Sequence, residues 1–205
     1  MRVLDILSNI KTTLNNLGLQ SGRGYFTDEQ IIREINSAQT FILANHYPLK
    51  GSKNFDVLNG VDGFEIPDYI GKIVSVSIGD ELTYIDVSDY LHYKIDNIEG
   101  RPIAYTFIDN YIVFAPIPND NYQAKVVFYY QTPPEPANGI DKDIFLPTYY
   151  DQAIEYYTLG NLLIKGDKDT IDAGNQYIRL SIELLKELAG HSSNKTKPPK
   201  PKGDW

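Results

Sequence analysis

Few residues in this chain combine the types and the spacing that chemistry requires. Asp86, Asp89 and His92 recur every three residues, so a helix would set them along one face, as a metal site needs. No further ligand or supporting partner follows them, and a solvated polar face accounts for all three. Asp167-Lys168-Asp169-Thr170-Ile171-Asp172 has the spaced acids of a calcium loop. It lacks the mid-loop glycine, and Ile178 falls where a chelating glutamate must stand, so these acids read as caps and first-turn charges. Gly22-Arg23-Gly24 is too short to cradle a phosphate and follows no strand, which leaves a flexible turn. Glu65, Glu81 and Glu99 could pair for glycoside hydrolysis only if folding set two of them at the required separation. Surface glutamates are the plainer reading. His46, His92 and His191 are scattered, and the Asn194-Lys195-Thr196 sequon carries no weight without a secretory signal. These residues predict no catalytic group, no metal and no cofactor.

Composition narrows the class further. The 205 residues, 42% of them hydrophobic, suffice for one domain with an insertion. There is no cysteine, which removes disulfides, thiolate metal sites and a thiol nucleophile. Met1-Arg2-Val3-Leu4-Asp5-Ile6-Leu7 is too short and too acidic for a signal peptide, and no stretch reaches membrane-spanning length. A soluble chain made in the cytoplasm is the expectation. The net charge is −8, yet four lysines against Asp204 make residues 191–205 net +3, which leaves −11 on the body. An acidic body argues against general nucleic-acid affinity, although it could line a channel through which DNA slides.

The elements alternate in kind. Val3, Ile6, Leu7, Ile10, Leu14 and Leu17 predict a first helix over 2–17, stopped at Gly18. Thr27 and Gln30 fit a capping box that opens a second helix, with Phe26 and Ile31 as its staple; Pro48 ends it. Ile73–Ile78 alternates as a strand. Ile103–Ile108 and Tyr111–Phe114 flank the turn pair Asp109-Asn110, and Lys125–Tyr130 follows, so a three-strand meander is predicted. The Ile73 strand would join or face it, with a short helix over Ser88–Ile95. After the Thr132–Gly139 connector, Pro147 sits in the first turn of a third helix, and a fourth spans 169–189 with Gly190 as its stop.

Both closing helices carry two apolar stripes. The third has Tyr150, Ile154 and Tyr157 beside Tyr149, Ala153, Tyr156 and Leu163. The fourth has Ala173, Tyr177, Leu180, Leu184 and Leu188 beside Ile171, Gly174, Ile178, Ile182 and Leu185. A surface helix needs one apolar face roughly 100° wide, so a second side must be covered by the domain's own sheet or by another subunit. Ala153, Gly160, Ala173 and Gly174 would permit close helix approach. Most of the sixteen tyrosines fill strands and helices, whereas Trp205, ending a Pro/Lys segment, suits a partner's pocket.

Several motifs in order resemble the head-to-tail adaptor (connector, or head-completion ring) proteins of tailed, particularly short-tailed, bacteriophages. They are Tyr25-Phe26-Thr27-Asp28-Glu29 with Ile35-Asn36-Ser37-Ala38-Gln39, then Gly100-Arg101-Pro102-Ile103-Ala104-Tyr105 and Val113-Phe114-Ala115-Pro116-Ile117-Pro118. Leu146-Pro147-Thr148-Tyr149-Tyr150 and the Ala173/Tyr177 pair complete the set, and the likeness covers most of 1–190.

The resemblance implies an α+β fold: a four-helix bundle of two N-terminal and two C-terminal helices, a central antiparallel β-rich insertion and an extended C-terminal arm. The expected divisions are 1–50 and 141–190 for the helical pairs, 51–140 for the insertion and 191–205 for the arm. It implies a twelve-fold homo-oligomeric ring beneath the portal, in the virion at the head–tail junction, with DNA passing through without sequence-specific contact. The expected partners are the portal and the next tail or ring protein, with no membrane involved. The portal-binding arm would use Lys195, Lys197, Pro198, Pro199, Lys200, Pro201, Lys202 and Trp205; the subunit interface would use Tyr149, Tyr156, Leu163, Ile171, Ile178, Ile182 and Leu185. The alternatives are a carbohydrate- or receptor-binding β-rich module of a phage tail and, behind it, a cell-wall hydrolase.

Overall fold

The computed structural model describes residues 2–19, 26–46, 49–166 and 168–193. Its fold is α+β. The helices are α1 (Val3–Asn16), α2 (Asp28–His46), α3 (Val87–Ile95), α4 (Asp151–Lys165) and α5 (Ile171–Ser193). The strands are β1 (Lys50–Val57), β2 (Gly63–Glu65), β3 (Ile70–Ile78), β4 (Asp80–Glu81) and β5 (Thr83–Tyr84), then β6 (Glu99–Gly100), β7 (Ala104–Ile108), β8 (Tyr111–Ala115), β9 (Ile117–Pro118) and β10 (Tyr122–Tyr130). The chain divides into two compact units, residues 1–46 with 133–205, and residues 47–132.

In the first unit, α4 is the helix the others lean on, with α1, α2 and α5 all packed against it. The predicted stripe of α1 is buried through Val3, Ile6, Leu7, Ile10 and Leu14, whereas its expected last member, Leu17, caps the helix and is exposed; Gly18 adopts a left-handed φ of 77° just beyond. The capping box of α2 forms as its residues require: Gln30 N donates to Thr27 Oγ1 at 3.2 Å, and Thr27 N donates to Gln30 Oε1 at 2.8 Å. Pro48, the expected stop of α2, lies outside the described residues. Pro147 precedes a 3₁₀ turn, Thr148–Tyr150, so α4 begins later than its position suggests. Gly190 does not stop α5, which continues to Ser193; a glycine inside a helix costs only about 1 kcal/mol against alanine.

α4 and α5 cross at Gly160 and Gly174. A Cβ on Gly160 would lie 2.5 Å from Ile178 Cγ1 and 2.8 Å from Gly174 O; one on Gly174 would lie 2.8 Å from Gly160 O. The backbones therefore touch. Ser181 Oγ donates to Ala153 O at 2.8 Å and ties the same pair of helices.

The second unit has three layers. One sheet runs β1-β10-β3-β4 and the other β2-β8-β7-β5. Val57, Val76, Ile78, Ala124, Val126 and Phe128 of the first meet Tyr105, Ile112 and Phe114 of the second. The other side of β7 and β8 presents Ala104, Val113 and Ala115 to Tyr90 of α3. Period-two alternation thus buries both faces of this hairpin. The hairpin turn falls at Asp109-Asn110 as the sequence predicts, with Asp109 at φ 51°. The three-strand meander does not form. β10 leaves its predicted neighbours and pairs with β1 and β3 in the opposite sheet, because its inward Ala124, Val126 and Phe128 close the core from that side.

Gly160→Ala is expected to lower stability by about 1–3 kcal/mol through overpacking, although alanine favours helix by about 1 kcal/mol. A urea titration reads it; a midpoint equal to or above that of the parent would show that the crossing has room to spare.

Candidate functional site

The residues that might have done chemistry are spread apart. Asp86 precedes α3, and Asp89 and His92 lie exposed along it. Glu65 ends β2, Glu81 lies in β4 and Glu99 in β6. Among the described residues, no group of three His, Asp or Glu side chains is placed to hold a metal ion, and no helix is long and apolar enough to cross a membrane. Asp167, Gly22-Arg23-Gly24, the sequon and every residue of the expected arm, from Lys195 to Trp205, lie outside the described residues.

Polar side chains instead hold backbone in place. Asn36 of α2 grips Ala137 on both sides, donating from Nδ2 to its carbonyl at 2.7 Å and accepting from its N–H at 3.0 Å. The buried Gln39, one turn on, accepts from Phe145 N at 2.9 Å. Val3 N and Leu4 N, unpaired donors at the start of α1, reach Lys142 O and Ile140 O at 2.9 and 3.2 Å. Residues 137–145 are therefore fixed by three separate anchors. Lys165 Nζ meets the largely buried Glu34 at 2.6 Å and joins α4 to α2. Asp151 and Glu155, one turn apart on α4, are pushed up in pKa by burial; a hydrogen bond from Asn9 Nδ2 at 2.6 Å opposes that rise at Glu155.

In the second unit Asp62 Oδ2 accepts from Tyr90 Oη at 2.6 Å and from Lys94 Nζ at 2.7 Å. Burial alone would raise the Asp62 carboxyl, but the bonds from Lys94 and Tyr90 and the Lys94 charge outweigh it and hold it below its ordinary value. Burial, and then Asp62, push the Tyr90 phenol up to about 12. This network latches α3 to the loop before β2.

The surface best suited to function is apolar and lies on α5. At about 100° per residue, the apolar positions of α5 fill an arc of about 200°, from Leu180 through Leu184, Tyr177, Gly174 and Leu185 to Ile178 and Ile182. Only the centre of the arc, at Gly174, Ser181 and Leu185, is buried, and it faces α4. Ile178 and Ile182 on one flank, and Tyr177, Leu184 and Leu188 on the other, are half-buried, while Ile171 and Leu180 are exposed. Of the expected interface residues, Leu163 and Leu185 are enclosed by the chain's own helices, Tyr156 is half-buried beside Tyr177, and Tyr149 is 58% exposed. α4 differs from α5, for α1 and α2 cover its second stripe.

Sequence reasoning missed the Asp62–Tyr90–Lys94 network, in which Asp62 lies 28 residues before Tyr90. It also missed a stripe on α3, Val87, Leu91 and Ile95, all exposed and the last by 77%. Their four-residue spacing was the available signal. Compared with models of known protein families and with curated protein sequences, the chain matches none.

Tyr90→Phe removes one charge-assisted bond to Asp62 and should cost about 1–2 kcal/mol near neutral pH. A lowered carboxyl contributes stability above its unfolded value and loses it as pH falls through the folded one. The gap between variant and parent should therefore narrow in acid, below about pH 4. Denaturant melts across that range check it, and a gap constant with pH would place the cost elsewhere.

Proposed function

We propose that this chain is a structural virion protein: an adaptor that assembles through its helices into a ring joining portal to tail, with DNA passing through its acidic channel. In this reading the helical unit is a four-helix bundle, the β-rich unit is an insertion within it, and the arm that reaches the portal starts at 194 and not at the expected 191, because 191–193 belong to α5. One observation carries the proposal. The apolar arc of α5 is about twice the roughly 100° that a single buried face requires, and only its centre is fully buried: Tyr177, Ile178, Ile182, Leu184 and Leu188 are half-buried, and Ile171 and Leu180 are exposed. Apolar surface of that extent on a regular helix is stabilised by a further protein surface. Copies of the same chain are the economical source, since symmetric self-association reuses one patch in every subunit. The order of motifs that resembles phage adaptors supplies the context, and the net charge of −11 outside 191–205 suits a channel that DNA must not stick to.

A second reading, a carbohydrate- or receptor-binding module, is favoured by the exposed rings of Tyr84 and Tyr111 on the β-rich unit. Glycan-array binding by a monomer that ignores portal would support it.

Sedimentation and native mass measurement of the purified chain, alone and with portal, test the adaptor. Multimers are expected, alone or on portal. The paired change Ile171→Asp with Leu180→Asp should reduce them strongly while leaving the helical content unchanged. A parent that stays a monomer in both conditions would end the proposal.

A further inference from the structure

The layer order of the β-rich unit gives it two opposite outer faces of different character. On one side is α3, with the exposed stripe Val87, Leu91 and Ile95. The chain around that stripe carries Asp86, Asp89, Asp96 and Glu99, all exposed, while its lysine, Lys94, is engaged with Asp62. On the other side is the outer face of β1, β10 and β3. Along β10, Ala124, Val126 and Phe128 point into the core, so Lys125, Val127 and Tyr129 point out. Register sets Lys50 opposite Tyr129, its Nζ 5.1 Å from the ring centroid. Lys72 of β3, where the pairing with β10 shifts register between the core residues Ile70 and Ile73, is exposed. Lys125 thus holds the middle of this face, Lys50 and Lys72 stand toward its Tyr129 end, and its carboxylates, Asp56 and Glu81, stand at two margins.

We infer that α3 of one copy packs on the outer face of β1, β10 and β3 of the next copy, a head-to-tail contact within the assembly. The inference rests on the proposed self-association and adds its interface. Three features point to a second copy as the occupant. The charges are complementary: an acidic helix surround meets lysines and a tyrosine, whose aliphatic stems and ring can also lie against Leu91 and Ile95. The architecture is complementary: one sheet already carries a helix on its outer side, and among the described residues of this unit the other sheet carries none. The dimensions agree as well, since nine helical residues extend about 13 Å and three strands span about 10 Å between outer axes. Because donor and acceptor faces lie on opposite sides of the unit, every copy can give and receive at once, as a head-to-tail contact requires.

The test uses full-length protein and sedimentation at low and raised salt. One variant carries Lys72→Glu with Lys125→Glu, and the other Leu91→Lys with Ile95→Lys. Each alone should associate about tenfold more weakly or worse, because like charges then meet; the parent's association should weaken with salt. Mixed one to one, the two variants should recover association, since each now offers the charge the other lacks. Ile95→Ser, at the most exposed position of the stripe, is the milder probe and should act in the same direction if a double variant fails to fold. Variants that associate like the parent, or a mixture no better than its parts, would overturn the α3 contact while leaving self-association standing. A parent that is monomeric throughout, with portal present as well, would overturn both.

Discussion

Everything in the helical unit depends on how much apolar surface α4 can cover. It lies among α1, α2 and α5, so Ala153, Ile154, Leu159, Leu162 and Leu163 are almost wholly removed from water. At roughly 25 cal/mol per Å² of apolar area, such burial is the main favourable contribution to the fold. α5 receives far less of it. Gly160 and Gly174 let the two backbones touch, which buries the centre of the α5 arc and leaves its flanks half-buried, with Ile171 and Leu180 exposed.

In both units several polar side chains hold backbone or a helix in place. Asn36 matches both hydrogen-bonding groups of Ala137, Gln39 takes the N–H of Phe145, and α1 gives its first donors to the same segment. An irregular stretch rich in proline is thereby held without a strand or helix of its own, its backbone demands met by side chains of α2. Asp62 plays the equivalent part for α3. That helix also ends in a left-handed Asn97, at φ 49°, with Ile98 N bonded to Tyr93 O and Asn97 N to Lys94 O, which closes its last turn firmly. A nine-residue helix with one fully buried side chain is thus held as a fixed platform for Leu91 and Ile95.

Local chemistry was legible in the sequence wherever the decisive partners are near in the chain. The capping box of α2, the α1 stripe, the Asp109-Asn110 turn and the extent of α3 all rest on interactions spanning a few residues. β10 shows where that legibility ends. Its alternation marks a strand, yet nothing in Lys125–Tyr130 says whether its inward face closes the sheet of β7 and β8 or the sheet opposite. That choice is made by Val57 and Val76, about fifty to seventy positions away. Gly190 taught the converse: a residue that often ends helices continues one when the next residues tolerate helix. The surplus apolar stripe of α5 was readable, because it is periodic. What covers α4, and what leaves α5 open, depends on tertiary packing and was not.

The two units meet the same physical demand in contrasting ways. The β-rich unit closes its core by facing one sheet with another and backing the second with α3, so its leftover apolar groups are few and arranged as a stripe on a helix. The helical unit leaves its surplus as a long flank instead. A helix stripe with carboxylates before and after it in the chain, opposite a sheet face that carries lysines, favours one orientation of an incoming surface, because the reversed approach sets like charges together. A long apolar flank has no such preference and supplies area. In the proposed assembly α5 would supply area and the α3 contact orientation, because apolar area alone does not distinguish an ordered ring from non-specific clustering.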